Sequence, residues 1–444
     1  MVAGVLVTGL SGLLAAGPVR AAPNDEPFAA SQWGLRQIGA PAAWDVTRGS
    51  GARVGVIDTG IDLGHAELAG RVVASTTCLG TRGLVSGCGG TAQDDAGHGT
   101  HVAGTVAAPV NGSGVAGVAP EASLLVVKAL NAEGAGNAFD VVAGIDWLLS
   151  QGVHVVNLSL SEVSSLRQAP ASPLAGAIER AYQAGVVVVV SAGNNPDTSG
   201  ERVASDLAAI VVGATGRDGR MPPYSAPLDS GVRWGLVAPG GDGTADVKGD
   251  VISTSWFAGR RSSYAWSSGT SMATAHVSGV AALLAARGVV GKAAIDQMLA
   301  TTAPTSCGPG CRGLVDATAA TAISAAAVAV GTTPAAPPAV QAPAAPAAPV
   351  TAPAALPAAL EATVPVVVAL PQLTVEGPAD TGVTGGGQVA MTPVLRPLVP
   401  EVPIRSARAE QLAWFAVGAG GALLSVAAGS ALLGRRRVRG AAGW

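Results

Sequence analysis

The sequence predicts an α/β domain: a doubly wound, mostly parallel sheet flanked by helices. Three observations carry this expectation. Short runs rich in Val, Ile and Leu recur at 52–58, 124–130, 153–160, 186–191 and 208–214. They are nearly continuous rather than alternating, as strands covered on both faces are. Helix-period segments lie between them, and that alternation builds right-handed strand–helix–strand crossovers. Polar residues and glycines gather at the C-terminal ends of the runs, where open α/β sheets place their ligand sites.

The elements follow in chain order. Residues 2–16 are apolar but too short for a comfortable membrane span. The small residues around Val19-Arg20-Ala21 suit a signal peptidase, so 1–21 reads as a signal peptide, although the usual basic opening segment is absent. Residues 22–326 form the α/β domain, long enough for a large core. Its first run, 52–58, ends on Asp58. The helix expected over 139–151 places Val142, Ile145 and Leu149 on one face. The next, over 173–184, does the same with Leu174, Ala177, Ile178 and Ala181. Gly152 and Gly185 stand where helix C-caps belong. A further helix beginning at Ser271 keeps Val277, Val280, Ala281 and Leu284 on one apolar face.

Beyond the domain the composition changes. Residues 331–360 contain 13 Ala and 8 Pro, so 327–410 reads as a disordered Pro/Ala-rich linker, semi-rigid where it favours polyproline-like backbone. The apolar stretch 366–370 within it is broken up by Pro and Gly. Residues 412–433 carry no charge and are long enough to span a bilayer core of about 30 Å, so 411–434 is predicted as one transmembrane helix. Arg435, Arg436, Arg437 and Arg439 follow at once, which makes 435–444 a cytoplasmic tail and leaves the domain outside. The expected location is the cell membrane, single-pass.

The 444 residues carry a formal net charge of −3, with 49% hydrophobic, 3% aromatic and 12% charged residues. That balance excludes a strongly basic nucleic-acid binder, a coiled coil and a highly charged disordered chain. Four cysteines suit an exported protein and allow three pairings. Spacing favours two local loops, Cys78–Cys88 and Cys307–Cys311. A metal site is the alternative, although neither pair has CxxC spacing or a nearby His.

Four segments carry chemistry. Val54-Gly55-Val56-Ile57-Asp58-Thr59-Gly60 is an apolar strand ending on a carboxylate. Gly97-His98-Gly99-Thr100-His101-Val102-Ala103-Gly104 is a Gly-rich turn entering a helix. Ser268-Gly269-Thr270-Ser271-Met272-Ala273 puts a serine at the start of another helix. Ser191-Ala192-Gly193-Asn194 follows an apolar strand. A serine hydroxyl is a poor nucleophile at neutral pH and needs a base within hydrogen-bond reach. A histidine with an ordinary pKa near 6.5 can take the proton and return it to the leaving group. A buried carboxylate fixes its tautomer. The Asn194 amide and the Ser271 N–H would bind the developing negative oxygen.

These segments resemble those of the subtilisin-like serine proteases, the subtilase family, in the order Asp58, His98, Ser271. The similarity runs from about 32 to 315. The resemblance implies a serine endopeptidase: Ser271 attacks, His98 shuttles the proton, Asp58 orients His98 and Asn194 holds the oxyanion. Residues 157–161 resemble a strand lining the family's substrate cleft, so Ser159, Leu160 and Ser161, with Ala192 and Gly193, are expected to bind substrate. The implied partners are a protein or peptide substrate and the membrane, with no nucleic acid. No cofactor is required for the chemistry. Relatives often carry structural calcium near segments matching Glu67 and Asn111, but the six to eight oxygens it needs cannot be assembled from the sequence. Two details depart from the family pattern. Ala275 stands where a proline is usual, and Ser161-Glu162 replace a Gly-Gly pair. His101, His65, His154 and His276 are expected to be structural, and Asp94 and Asp95 to shape the turn before His98. The layout of signal, domain, Pro-rich spacer, span and basic tail is similar to the mycosins of type VII secretion. It leaves a mainly structural role in a secretion complex as the alternative.

Overall fold

The five apolar runs become five adjacent strands of one sheet. The structure, a computed structural model, describes residues 25–160, 172–195, 207–323 and 396–397. The runs correspond to β1 (Arg53–Asp58), β3 (Ser123–Lys128), β4 (Val155–Leu158), β5 (Val187–Ser191) and β6 (Ile210–Thr215). The sheet is extended by β2 (Val72–Thr77) at one edge and by β7 (Trp234–Pro239) and β10 (Cys311–Leu314) at the other. The order is β10-β7-β6-β5-β4-β1-β3-β2, and every pairing in it is parallel. After β1 the chain builds β2 and β3 on one side, then crosses to β4 on the other. The order therefore reverses between β1 and β4, the kind of switch point where such sheets hold ligands.

Helices cover both faces. β1 shows how the faces are assigned. A Cβ built on Gly55 would meet Leu148 of α4 (Ala138–Ser150), and Gly144 of α4 sits against Ile57. Gly55 and Ile57 thus face α4, and the period of two turns Asp58 to the opposite face. There α3 (His98–Ala107) and α6 (Thr270–Ala285) pack together, with α6 lying against β4, β5, β6 and β7. α5 (Pro173–Gln183) packs on α4 and β5, and α7 (Gly291–Ala300) packs on α6 and β5. Gly152 and Gly185 end α4 and α5 with φ of 69° and 79°, the left-handed conformation that a C-cap glycine supplies.

One expectation needs correction, and one sheet was not foreseen. α6 does not present one apolar face: Thr270 to Leu284 are buried all round, because the helix is threaded between the sheet, α3 and α8 (Ala317–Ala322). The second sheet is not visible in the apolar pattern. β8 (Val251–Phe257) and β9 (Arg260–Ser267) form an antiparallel hairpin rich in Ser and Arg that covers α3. Arg396–Pro397, from within the predicted linker, add a two-residue strand to β9. The rest of 327–410, the signal 1–21, the span 411–434 and the tail 435–444 lie outside the described residues. Among the described residues no helix is long and apolar enough to cross a membrane.

The domain's ends meet. α1 (Trp33–Gln37) and α2 (Ala40–Ala43) lead into β1, and α2 packs on α8. Thr318 Oγ1 donates to Gly39 O at 2.9 Å, and Arg287, just beyond α6, donates to Ile323 O at 2.8 Å. Both cysteine pairs are bonded as the spacing favours, Cys78 to Cys88 (S–S 2.03 Å) and Cys307 to Cys311 (1.94 Å). That removes the metal alternative for these cysteines.

Candidate active site

Asp58 is the last residue of β1 and is fully buried on the α3 side. Its Oδ1 accepts the N–H of Thr59 at 2.7 Å and lies 2.8 Å from His98 Nδ1. A carboxylate only accepts, so Nδ1 carries a proton, and in the neutral imidazole Nε2 is then the nitrogen with the free lone pair. His98 Nε2 is shielded from solvent and has no hydrogen-bond partner. Burial alone would lower the His98 pKa, but the Asp58 charge and hydrogen bond, with the Asp94 charge behind them, raise it. His98 opens α3, and Gly99 lets the helix start so near the strand. A Cβ on Gly99 would lie 2.1 Å from the Gly60 carbonyl oxygen and 3.1 Å from Asp58 Cβ.

Ser271 is the second residue of α6 and is buried. Its hydroxyl donates to the Ser159 carbonyl at 3.3 Å, while Ser159 Oγ donates to the Ser271 carbonyl at 3.0 Å. The β1–β4 register then relates the pieces. Val56 pairs with Asn157, so Asp58 and Ser159 lie two residues further along on neighbouring strands. Neighbouring strands are about 4.8 Å apart. The carboxylate holding His98 and the residue holding Ser271 thus share one edge of the sheet. The Ser271 hydroxyl is turned to Ser159 rather than to the imidazole; such bonds often tighten only when substrate arrives.

Asn194 follows β5, the next strand over. Its Oδ1 accepts both the N–H and the hydroxyl of Thr270, at 2.8 and 3.0 Å. This fixes the amide and leaves Nδ2 shielded and without a partner. A buried donor without an acceptor is unusual in a folded protein and suits a ligand oxygen. The Ser271 N–H lies in the first turn of α6, where backbone donors have no intrahelical acceptor.

The expected substrate-binding residues divide. Ser159 meets Ser271 directly. Leu160 is 1% exposed, and its side chain belongs to the core. Ala192 N–H is spent on Val212 O (2.9 Å) and Gly193 N–H on Thr270 Oγ1 (3.3 Å), so these two shape the wall of the site rather than offering donors. Ser161 lies outside the described residues, as does Glu162. Ala275 leaves α6 unbroken.

The other histidines are held locally. His101 Nε2 faces the carbonyls of Val251 and Ala265, and burial pulls its pKa to about 3. His276 Nδ1 faces Met272 O, with a pKa lowered to about 4 by burial. His65 faces Ser263 O, and His154 Nδ1 accepts the N–H of Arg53. Near Glu67 and Asn111 the structure brings in Glu26, whose carboxylate accepts the N–H groups of Asn111 and Gly112 at 2.6 and 2.8 Å. Glu67 accepts the Tyr264 hydroxyl at 2.7 Å, while Asn111 Oδ1 is turned to Ser113 N–H. Burial, together with the Glu26 charge, pushes the Glu67 carboxyl up to about 8 against the Tyr264 bond. Among the described residues no group of three or more His, Cys, Asp or Glu side chains is placed to hold a metal ion.

Sequence reasoning missed two supports. Asn157 donates to Ser159 Oγ (2.9 Å) and accepts from Ser278 (2.8 Å), which ties β4 to α6. Lys128, at the end of β3, donates to the carbonyls of Thr59 and Leu130 and to Asp95. Each had a visible signal: a polar residue inside an otherwise apolar run.

Comparison with known proteins now bears on this arrangement. A family model described as the subtilase family, Peptidase_S8, matches residues 49–331. Thermitase of Thermoactinomyces vulgaris is 38% identical over 272 residues, covering 60% of this chain and 86% of its own. Subtilisin Savinase of Lederbergia lenta is 40% identical over 256 residues, 57% of this chain and 83% of its own. Other relatives, such as M-protease of Shouchella clausii, are matched over about three fifths of their length. A solved structure titled as proteases from Pseudoalteromonas arctica is similar with a TM-score of 0.59 and 32% identity, over 67% of this chain and 98% of that one.

Proposed function

The chain belongs to the subtilase family of serine proteases, and from that premise we propose that Asp58, His98 and Ser271 form its catalytic triad. The observation that carries the assignment is the Asp58–His98 bond on the strand next to the one that holds Ser271. A peptide carbonyl at this edge is attacked by Ser271 Oγ while His98 Nε2 takes the hydroxyl proton. Asp58 steadies the imidazolium through Nδ1–H. The tetrahedral oxygen is bound by Asn194 Nδ2 and the Ser271 N–H. The C–N bond then breaks, and His98 returns its proton to the leaving amine. Water repeats the sequence on the acyl-enzyme, releasing the acid and restoring the serine.

Protein or peptide chains are the proposed substrates. The sequence pattern further supports an exported enzyme held by one span at 411–434, with the catalytic domain outside the cytoplasm. A fluorophosphonate probe tests the triad: the folded full-length protein takes one label and Ser271→Ala takes none. A folded wild type that resists labelling overturns the assignment. Full cellular function retained by Ser271→Ala would instead favour the structural role in a membrane complex.

A further inference from the structure

We propose that Asp94 is a positioning residue for this hydrolysis, fixing the strand end that carries Asp58 and the helix start that carries His98 in one register. The inference rests on the triad reading and deepens it. Asp94 is 1% exposed and touches neither His98 nor Asp58 through a hydrogen bond; it acts through their neighbours.

Its Oδ1 accepts three donors: the Thr59 hydroxyl at 2.8 Å and the N–H groups of Ala96 and Gly97, both at 3.0 Å. Its Oδ2 accepts the N–H and the hydroxyl of Thr100, at 3.0 and 2.5 Å. The two threonines pass the connection on. Thr59 Oγ1 accepts the N–H of Gly99 at 2.9 Å, and Thr100 Oγ1 accepts the N–H of Asp62 at 2.8 Å. Thr59 follows Asp58 directly, and Gly99 and Thr100 follow His98. One carboxylate therefore caps the first turn of α3 and grips both sides of the Asp58–His98 contact. The N-cap position itself is Gly97, with φ 90° and no side chain to do the capping. Five hydrogen bonds on two oxygens make a rigid hub, because a carboxylate that accepts at both oxygens cannot rotate.

The hub also carries charge. The groups facing His98 are Asp58 from β1, Asp94 from the preceding turn and His101 one turn along α3, which burial keeps neutral. Lys128 of β3 and Asp95 lie close by and neutralise each other at 2.7 Å. Asp94 is thus the second anion favouring the protonated imidazole. Burial opposes its ionisation, but the Thr100 hydroxyl and the three N–H donors hold its own carboxyl below the usual range.

Asp94→Asn keeps the size, removes the charge and turns an amide donor toward donors. In the full-length enzyme, active-site titration with the fluorophosphonate first counts competent protein. Per active site, kcat for a peptide substrate should then fall on the order of ten- to a hundredfold with KM nearly unchanged. The acid limb of kcat/KM, which follows His98 deprotonation in the free enzyme, should move to lower pH. Thr59→Val should lower kcat without moving that limb, since the Asp94 charge stays, and Thr59→Ser should recover most of the loss. Should Asp94→Asn fail to fold, the Thr59 pair decides: equal kcat for Val and Ser overturns the proposal. A folded Asp94→Asn with an unmoved limb and unchanged kcat also overturns it. A wild type that takes no label instead sinks the triad beneath it.

Discussion

Asn194 shows how one side chain can serve two structures at once. Its oxygen caps Thr270 at the start of α6, and this leaves the nitrogen as the available donor beside Ser271, the proposed nucleophile. Asn194→Ala should therefore reduce kcat far more than it raises KM. The known scale for such a donor is about 10²–10³ in kcat, a value that comes from subtilisin, a relative of this chain. Steady-state kinetics checks it, and an unchanged kcat would show that the amide does not meet the reacting oxygen. Thermal stability should fall as well, by the cost of a lost cap, about 1 kcal/mol.

Among the elements, the contact of β1 with α3 sets the tightest tolerance. Gly99→Ala would drive a methyl group into backbone, the Gly60 carbonyl, which cannot swing aside as a flexible side chain would. The expected outcome is loss of activity together with a lower melting temperature. An active, equally stable Gly99→Ala would contradict this packing. The same region shows what the sequence makes legible. Asp58 stands out because it ends an apolar run, and His98 and Ser271 because each stands in a glycine-containing turn that opens a helix. The five central strands stand out because burial on both faces leaves them almost free of polar residues. β2 does not, since it is a half-exposed edge written Val-Val-Ala-Ser-Thr-Thr. β8 and β9 escape notice because they are written largely in Ser, Thr and Arg, with Ser253 and Thr254 donating to the α3 carbonyls of His101 and Thr100. Leu160 reads as part of a cleft strand, and only packing reveals it as core. The joining of Asp94 to Thr59 spans thirty-five positions and has no periodic signature.

Across the whole molecule, acidity enters through the lead-in segment. Glu26 binds the 111–112 turn and shares its surroundings with Glu67, whose carboxyl stays protonated up to about pH 8 in the folded chain. The unfolded chain loses that proton near its ordinary value of 4.5. Folding is thus favoured fully below that value, and the contribution fades as pH rises through about 8. In chelator-containing buffer, the melting temperature of the wild type should fall from pH 5 to pH 8 more steeply than that of Glu67→Gln. Parallel curves would mean that Glu67 is ionised in the native state. The closure of α2 on α8 carries a mechanical consequence. Tension applied at Ile323 is received by that seam and by Arg287, past the C-terminal end of α6. Ser271 stands at the other end of the same helix, about 20 Å away along its axis. A pull at that point is therefore met before it reaches the strand ends that hold Asp58 and Ser159.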